Sequence, residues 1–189
     1  TKVKKLLYLS SVKVFDGYHG NKDMVDDYCR PNSISEYGRY KIKAEKTVSK
    51  SLTGSQVSFL ILRPAPILGI GASNMLSIFI KYLNFFPILI GIFDRTCVKS
   101  AIHINDIVAT IMYFLHKDKL DNKILIAASE SSYTFEDIID LSRTKRTLSF
   151  VHLLKLRCFF QKFQFFQKST IGTFISQNQN YNGRILYKI

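Results

Sequence analysis

The residues of this 189-residue chain that are best placed to do chemistry are Tyr37 and Lys41. They stand four positions apart, so on a helix they share one face and their side chains can meet. An ammonium beside a phenol favours the phenolate, and this makes a tyrosine usable as a general acid or base near neutral pH. Taken alone, such a pair is far more often an ordinary part of a helix surface, so the neighbouring segments decide the interpretation.

Three further segments accompany the pair in a fixed order. They are KLLYLSS at residues 5–11, ILRPAPILG at residues 61–69 and IHINDI at residues 102–107. Residues 6–9 predict a fully buried strand of the parallel type, which places Ser10 and Ser11 at its carboxyl end. Ligands of open α/β sheets bind at that edge, so a serine hydroxyl there points toward a site.

The elements that position these groups follow from periodicity and capping. Ser35 and Glu36 predict the start of the helix that carries Tyr37 and Lys41, with its end near Lys50. Residues 57–62 and 123–127 predict two further strands, and residues 107–116 predict a helix that begins at Asp106. Thr134 is expected to cap a later helix, and Gly69 and Gly71 are expected to lie in a loop.

In their order, these motifs resemble those of the extended short-chain dehydrogenase/reductase family, in particular its NAD-dependent nucleotide-sugar epimerases and dehydratases. The resemblance covers most of residues 4–140. It implies an α/β fold, a partial Rossmann-like parallel sheet with helices, plus a small C-terminal substrate-binding region. Residues 1–72 correspond to the C-terminal half of the NAD-binding domain, and residues 73–189 to the substrate region, with interleaved late Rossmann elements and a basic amphipathic tail.

The resemblance also implies roles for individual residues. The catalytic set is Ser11, Tyr37 and Lys41, in which the tyrosine takes the proton of a sugar hydroxyl and the serine holds that oxygen. NAD is the implied cofactor, with contacts at Tyr37, Lys41 and Pro64. Substrate contacts fall on Ser11, Asn74 and Lys99, the last replacing an arginine that clamps the diphosphate in the family. A helix N-cap is an equal alternative for Asn74, and Arg95 is a nearby alternative to Lys99. Ser10 is expected to face away from the site, and Glu45 is expected to be a salt-bridge partner.

The implied reaction is epimerisation of a nucleotide-diphosphate sugar by hydride transfer, in the synthesis of sugars for cell-surface polysaccharides. A dehydratase usually has an acid/base pair directly after the serine, whereas Val12 and Lys13 follow Ser11 here, so an epimerase or a reductase is favoured over a dehydratase. Two other departures concern Pro66, which removes a side-chain contact with the substrate, and Tyr40, which adds bulk near the site. His103 is expected to be structural.

The family's Gly-x-x-Gly-x-x-Gly turn, which receives the cofactor pyrophosphate, does not occur in this sequence. The chain is therefore interpreted as the C-terminal portion of an enzyme. Two alternatives remain open at this stage. One is a truncated homologue that catalyses nothing, and the other is a basic peripheral module that binds a membrane or polyanion through residues 150–168. Packing of that segment on the substrate region is favoured, because its apolar residues nearly encircle the helix.

The net charge of +13 is compatible with an anionic ligand, but no dense basic run or nucleic-acid motif accompanies it, so nucleic acid is not expected as a partner. Three widely spaced cysteines predict neither a metal site nor a disulfide framework and are typical of the cytoplasm. Asp23, Asp26 and Asp27 fit no calcium loop and are expected to be solvated. The resemblance further implies a nucleotide-sugar substrate and a homodimer.

Overall fold

A parallel three-stranded sheet is the centre of the computed structural model. The structure describes residues 3–18, 24–69, 71, 78, 98–134, 137 and 181. Its strands and helices, in chain order, are β1 (Lys5–Leu9), α1 (Glu36–Leu52), β2 (Ser58–Pro64), β3 (Ile67–Leu68), β4 (Val98–Ser100), β5 (Ile102–His103), α2 (Ile104–His116), β6 (Lys123–Ala127) and β7 (Ser132–Thr134), with a 3-10 turn at Val12–Phe15 after β1.

The sheet has the strand order β1–β2–β6. Tyr8 lies opposite Ile61, and Leu62 lies opposite Leu125. The ladder continues past the end of β1, where the Ser10 amide donates to the Leu62 carbonyl at 2.7 Å. Because all three strands are parallel, their carboxyl ends meet at one edge.

The core includes β2, the middle strand, on which Leu60, Ile61 and Leu62 are fully buried. By contrast, β1 is only half-buried along its length, and Leu9 is 41% exposed. The prediction of a fully buried first strand was therefore wrong. The reason is its position, since β1 lies at one side of the described sheet and is paired only with β2 there.

Helices lie against both faces of β1. Lys5 donates from its ammonium to the carbonyls of Leu115 and Lys117 at 2.6 and 2.7 Å, at the carboxyl end of α2. A cation there offsets the partial negative charge of the helix end. Tyr8 and Ser10 project from the opposite face of the strand, because side chains alternate along it, and both contact α1.

The start of α1 agrees with its prediction, whereas the start of α2 does not. α1 begins where the sequence predicts, with the Ser35 hydroxyl accepting from the Gly38 amide at 3.2 Å. α2 begins at Ile104, two residues before the predicted start at Asp106, because the His103 Nδ1 atom accepts from the Asn105 amide at 3.2 Å and caps the helix. Asp106 lies in its first turn. His103 therefore has the structural role expected of it.

The chain divides into two units. The first comprises residues 1–70, 101–130 and 181–189, and the second comprises residues 71–100 and 131–180. The three-stranded sheet and the parallel β3–β5 pair belong to the first unit, and the antiparallel β4–β7 pair belongs to the second. β6 has the predicted bounds.

Two local predictions about turns agree with the structure. Gly69 and Gly71 have φ angles of 146° and 82°, as in a loop rather than a helix. In the second unit, Thr134 Oγ1 accepts from the Asp137 amide at 3.1 Å, and the Asp137 carboxylate accepts from the Thr134 amide at 2.8 Å. These reciprocal hydrogen bonds form a capping box. The pKa of Asp137 is lowered first by the hydrogen bond that the Thr134 hydroxyl donates to its carboxylate at 2.7 Å, and then by the hydrogen bond from the Thr134 amide.

Candidate active site

The carboxyl edge of the three-stranded sheet brings together Ser11, which follows β1, and Pro64, which ends β2. Each stands two residues past the Leu9–Leu62 pair. Pro64 is half-buried and pairs with Ala127 of β6, so its ring and backbone lie in the sheet itself. A ligand at this edge would therefore meet the ends of neighbouring strands.

Ser11 caps the 3-10 turn that follows β1. Its backbone is extended, and its Oγ atom accepts a hydrogen bond from the Lys13 amide at 3.2 Å. A hydroxyl has two acceptor lone pairs and one donor, so capping the turn leaves the Ser11 proton free to be donated. Capping and substrate binding are thus compatible at this residue.

Ser10, one position earlier, is buried and directed into the protein. Its hydroxyl donates to Glu45 Oε1 at 2.5 Å. The prediction that Ser10 faces away from the site is confirmed, and the alternation of side chains along an extended strand is the reason.

The start of α1 is fixed by the loop before it. Asp16 accepts hydrogen bonds from the Ser33 hydroxyl at 2.6 Å and from the Ile34 amide at 2.9 Å. Asn32 donates from its side-chain amide to the Gly17 carbonyl at 2.7 Å. These contacts join the 3-10 turn to the residues just before the helix, and so they hold the helix end that carries Tyr37.

Tyr37 is 54% exposed, and no described residue makes a hydrogen bond with its hydroxyl. The Lys41 ammonium lies 5.8 Å from the centroid of the Tyr37 ring. It donates to the Leu9 carbonyl at 2.9 Å and to the Tyr8 hydroxyl at 3.4 Å. The tyrosine and lysine therefore share a helix face, as their spacing predicts, and that face lies over the carboxyl end of β1.

Beneath this surface lies a buried ionic network. Arg63 donates to both carboxylate oxygens of Glu45, at 2.9 and 2.7 Å, while Ser10 donates to one of them. The Arg63 guanidinium also lies 4.9 Å from the centroid of the Phe15 ring. The expected salt-bridge role of Glu45 is confirmed, and the network ties α1 to β1 and β2.

Tyr8 and Arg63 were not singled out as site residues by their types or spacing. The signal for Tyr8 was present, because it stands two residues before Ser10 on one strand and thus on the same face. Arg63 belongs to the Arg-Pro motif, but the identity of its partner depends on the packing of α1 against β2.

The remaining predicted site residues lie elsewhere. Lys99 is in β4, within the second unit, and is only 2% exposed. Asn74 lies outside the described residues, as does the basic segment at 150–168. Substrate contacts at Lys99 and Asn74 stay predictions. Tyr40 donates to Glu36 Oε1 at 3.2 Å and lies under the Lys43 ammonium, so its bulk runs along the exposed surface of α1.

The loop acids are more ordered than the sequence indicates. Asp27 is half-buried and accepts a hydrogen bond from the Ile126 amide at 2.6 Å, and Asp26 accepts from the Tyr28 amide at 3.1 Å. Both side chains are half-buried rather than fully solvated, since backbone donors of the loop and of β6 reach them, and Asp23 lies outside the described residues. Among the described residues, no group of three or more His, Cys, Asp or Glu could hold a metal ion. Within those same ranges, no helix has the length and apolar character needed to cross a membrane.

The residues at the sheet edge fit the nicotinamide-ribose end of a dinucleotide. A lysine ammonium has three N–H donors. In Lys41 the Leu9 carbonyl and Tyr8 hydroxyl engage two of them, and within the described part of the chain the third remains for a ribose hydroxyl. The exposed Tyr37 hydroxyl stands one helical turn before it.

Solved structures with the same fold include three nucleotide-sugar enzymes. UDP-glucose 4-epimerase from Thermotoga maritima, solved with UDP-glucose, is 18% identical with a TM-score of 0.59, and the match covers 95% of this chain and 50% of that one. dTDP-glucose 4,6-dehydratase from Bacillus anthracis, in complex with NAD, is 20% identical with a TM-score of 0.58 and coverages of 75% and 47%. UDP-N-acetylglucosamine 4-epimerase from Methanobrevibacter ruminantium, in complex with UDP-N-acetylmuramic acid, is 17% identical with a TM-score of 0.58 and coverages of 73% and 45%.

At these identities the likeness shows the fold, which is the expected Rossmann-like α/β fold. The chain spans about half the length of these structures. No curated protein matches at a significant level. The model of the NAD dependent epimerase/dehydratase family matches residues 1–127. The chain therefore belongs to the NAD dependent epimerase/dehydratase family, whose cofactor is NAD.

Proposed function

We propose that this chain supplies the acid–base half of an NAD-dependent nucleotide-sugar epimerase, which moves a hydride at one carbon of the sugar. The observation that carries the proposal is the position of the Lys41 ammonium. It is held at the carboxyl end of β1, with the exposed Tyr37 one turn before it on α1. This is where a general acid–base pair meets a ligand bound at the sheet edge.

In the proposed reaction, the Tyr37 phenolate takes the proton of the sugar hydroxyl as the carbon gives up its hydride. NAD, when bound, would supply the hydride chemistry at that carbon, so that the hydride returns to the other face of the sugar. Ser11 donates its hydroxyl proton in a hydrogen bond to the reacting oxygen. This is compatible with the contact to the Lys13 amide, because that contact uses only a lone pair of the Ser11 oxygen. Lys41, whose ammonium lies 5.8 Å from the centroid of the Tyr37 ring, binds the nicotinamide ribose. The proton returns from Tyr37 to the oxygen in the second step, so atoms and charges balance.

Epimerisation is favoured over dehydration by the residues that follow the serine. Val12 is buried with 4% of its surface exposed, and neither Val12 nor Lys13 carries a carboxylic acid. Dehydration needs a further acid and base to remove water from the sugar, and this stretch provides neither. The nucleotide-diphosphate sugar is the proposed substrate class. A cytoplasmic location, a homodimer and a role in polysaccharide synthesis belong to the same proposal and rest on the family resemblance.

The test is Tyr37→Phe in the intact enzyme. We expect turnover to fall by about 10²–10⁴-fold, because the phenyl ring keeps the packing but cannot exchange a proton. NAD binding, measured by calorimetry, should remain, which separates loss of chemistry from loss of fold. The matched control is Tyr40→Phe, three residues later on the same helix and 60% exposed, which should retain activity. Wild-type turnover in Tyr37→Phe would contradict the proposal that Tyr37 is the acid–base group.

A further inference from the structure

A second tyrosine, Tyr8, contacts the same lysine. The Lys41 ammonium lies 3.4 Å from the Tyr8 hydroxyl and 5.0 Å from the centroid of the Tyr8 ring. The ring of Tyr37 is farther away, at 5.8 Å. The ammonium therefore lies near two aromatic rings, and of these two tyrosines it donates a hydrogen bond to Tyr8.

The placement of Tyr8 follows from the match between strand and helix spacing. Tyr8 and Ser10 stand two residues apart on one face of the strand, a separation of about 6.6–6.8 Å. Lys41 and Glu45 stand four residues apart on α1, a rise of about 6 Å. Because these two separations are nearly equal, Tyr8 can contact Lys41 while Ser10 contacts Glu45, and both contacts join the same strand to the same helix.

These contacts restrict a side chain that is otherwise flexible. A lysine has a four-carbon stem and a large rotamer entropy, so an unrestrained ammonium samples many positions. Here the Leu9 carbonyl and the Tyr8 hydroxyl each accept one N–H, and the Tyr8 ring adds a cation–π attraction. With two donors engaged, the direction of the third is determined.

We propose that Tyr8 is a positioning residue, which holds the Lys41 ammonium so that its third donor points toward the ligand edge of the sheet. This inference rests on the proposed function, in which Lys41 binds ribose beside the acid–base group Tyr37. Tyr8 acts only through Lys41. Its hydroxyl supplies the directing acceptor, and its ring supplies the surface over which the ammonium lies.

The contact itself is tested on this chain without turnover. Protein labelled with [ε-¹³C]lysine gives one resonance per lysine, and Lys41→Arg identifies that of Lys41. We expect this resonance to be displaced by the aromatic rings in the wild type and in Tyr8→Phe, and to move toward the exposed lysines in Tyr8→Leu. An unchanged Lys41 resonance in Tyr8→Leu would overturn the inference.

The functional consequence is tested in the intact enzyme with Tyr8→Phe, which keeps the ring and removes only the hydroxyl. We expect kcat to fall about tenfold, as for one lost hydrogen bond, while the KM for the sugar nucleotide is unchanged. Tyr40→Phe again serves as the control and should keep the wild-type kcat. Wild-type kcat in Tyr8→Phe contradicts the positioning role.

The proposed function is tested by Tyr37→Phe, whereas the positioning role of Tyr8 is tested by Tyr8→Phe, so the two can fail separately. If Tyr37→Phe keeps its turnover while Tyr8→Phe loses it, Tyr8 is itself the acid–base group, and both proposals are overturned. If both variants lose turnover, and the loss in Tyr37→Phe is the larger by about tenfold or more, both proposals are supported.

Discussion

At the scale of single residues, the carboxylate of Glu45 is a buried charge beneath the candidate site. It accepts from Ser10 and twice from Arg63, and both members of the ion pair are 3% exposed. A bidentate arginine–carboxylate pair is geometrically well defined. Buried pairs of this kind add little net stability over apolar residues, but breaking one leaves an unpaired charge in the core.

We therefore expect Glu45→Leu to lower the free energy of unfolding by about 3–5 kcal/mol, since Arg63 loses its only described carboxylate partner. Chemical denaturation measures this. Lys46→Leu, at the adjacent exposed position of α1, should change stability by no more than about 0.5 kcal/mol. The double variant Glu45→Leu/Arg63→Met should recover most of the loss. A cost below about 1 kcal/mol for Glu45→Leu would show that the pair does not hold the helix in place.

At the scale of elements, α1 approaches the 3-10 turn more closely than a side chain allows. A Cβ atom placed on Gly38 would lie 2.4 Å from the Lys13 carbonyl oxygen and nearer still to the Ser33 hydroxyl. Gly38 is thus required by packing, although glycine is a poor helix former. The close approach brings the first turn of the helix, with Tyr37, against the turn that carries Ser11.

Gly38→Ala is expected to destabilise the protein. Alanine is a better helix former than glycine by about 1 kcal/mol, but the steric cost of the added methyl group outweighs this gain. The Lys13 carbonyl is backbone, so the helix must move, and overpacking of this kind costs about 1–3 kcal/mol. Thermal unfolding measures the net change. Adding Ser33→Ala should not restore stability, because the carbonyl remains. A Gly38→Ala variant that is more stable than the wild type would mean that the helix is not seated so closely.

At the scale of the whole molecule, a residue near the end of the sequence enters the core of the first unit. Tyr181 is buried, forms an isolated bridge with Val25, and has its ring centroid 6.5 Å from that of Phe15. Burial, followed by the negative charge of Asp16, raises the pKa of Tyr181 above the ordinary value for tyrosine. The folded state therefore holds this phenol in its neutral form.

The raised pKa predicts a loss of stability at high pH. Below the ordinary tyrosine pKa of about 10, Tyr181 is neutral in both the folded and the unfolded protein, and its contribution to the free energy of unfolding is fully present. Above that pH the contribution declines, because the phenol ionises in the unfolded chain before it ionises in the folded one. The free energy of unfolding should therefore fall more steeply as the pH rises above about 10 in the wild type than in Tyr181→Phe. Tyr28→Phe, whose tyrosine is 86% exposed, should follow the wild type. Equal slopes for wild type and Tyr181→Phe would contradict the burial of the phenol.

Local features of the sequence predicted the elements that carry the candidate site. The start of α1 at Ser35, the bounds of β6, the inward direction of Ser10 and the salt-bridge role of Glu45 are all confirmed. Each depends on capping, on the period of two along a strand, or on a motif typical of one family, and such signals lie within a few residues of each other.

The sequence by itself therefore determined the family, the order of the main strands and helices, and the shared face of Tyr37 and Lys41. Only the tertiary structure decided which groups surround that face. Tyr8 and Lys41 are 33 residues apart, and Asp27 and Ile126 are 99 apart, so their contacts arise only when separate elements pack together. The half-burial of β1 and the near-complete burial of Lys99 were decided in the same way. Periodicity indicates which face of an element is apolar, whereas exposure depends on which neighbours cover that face.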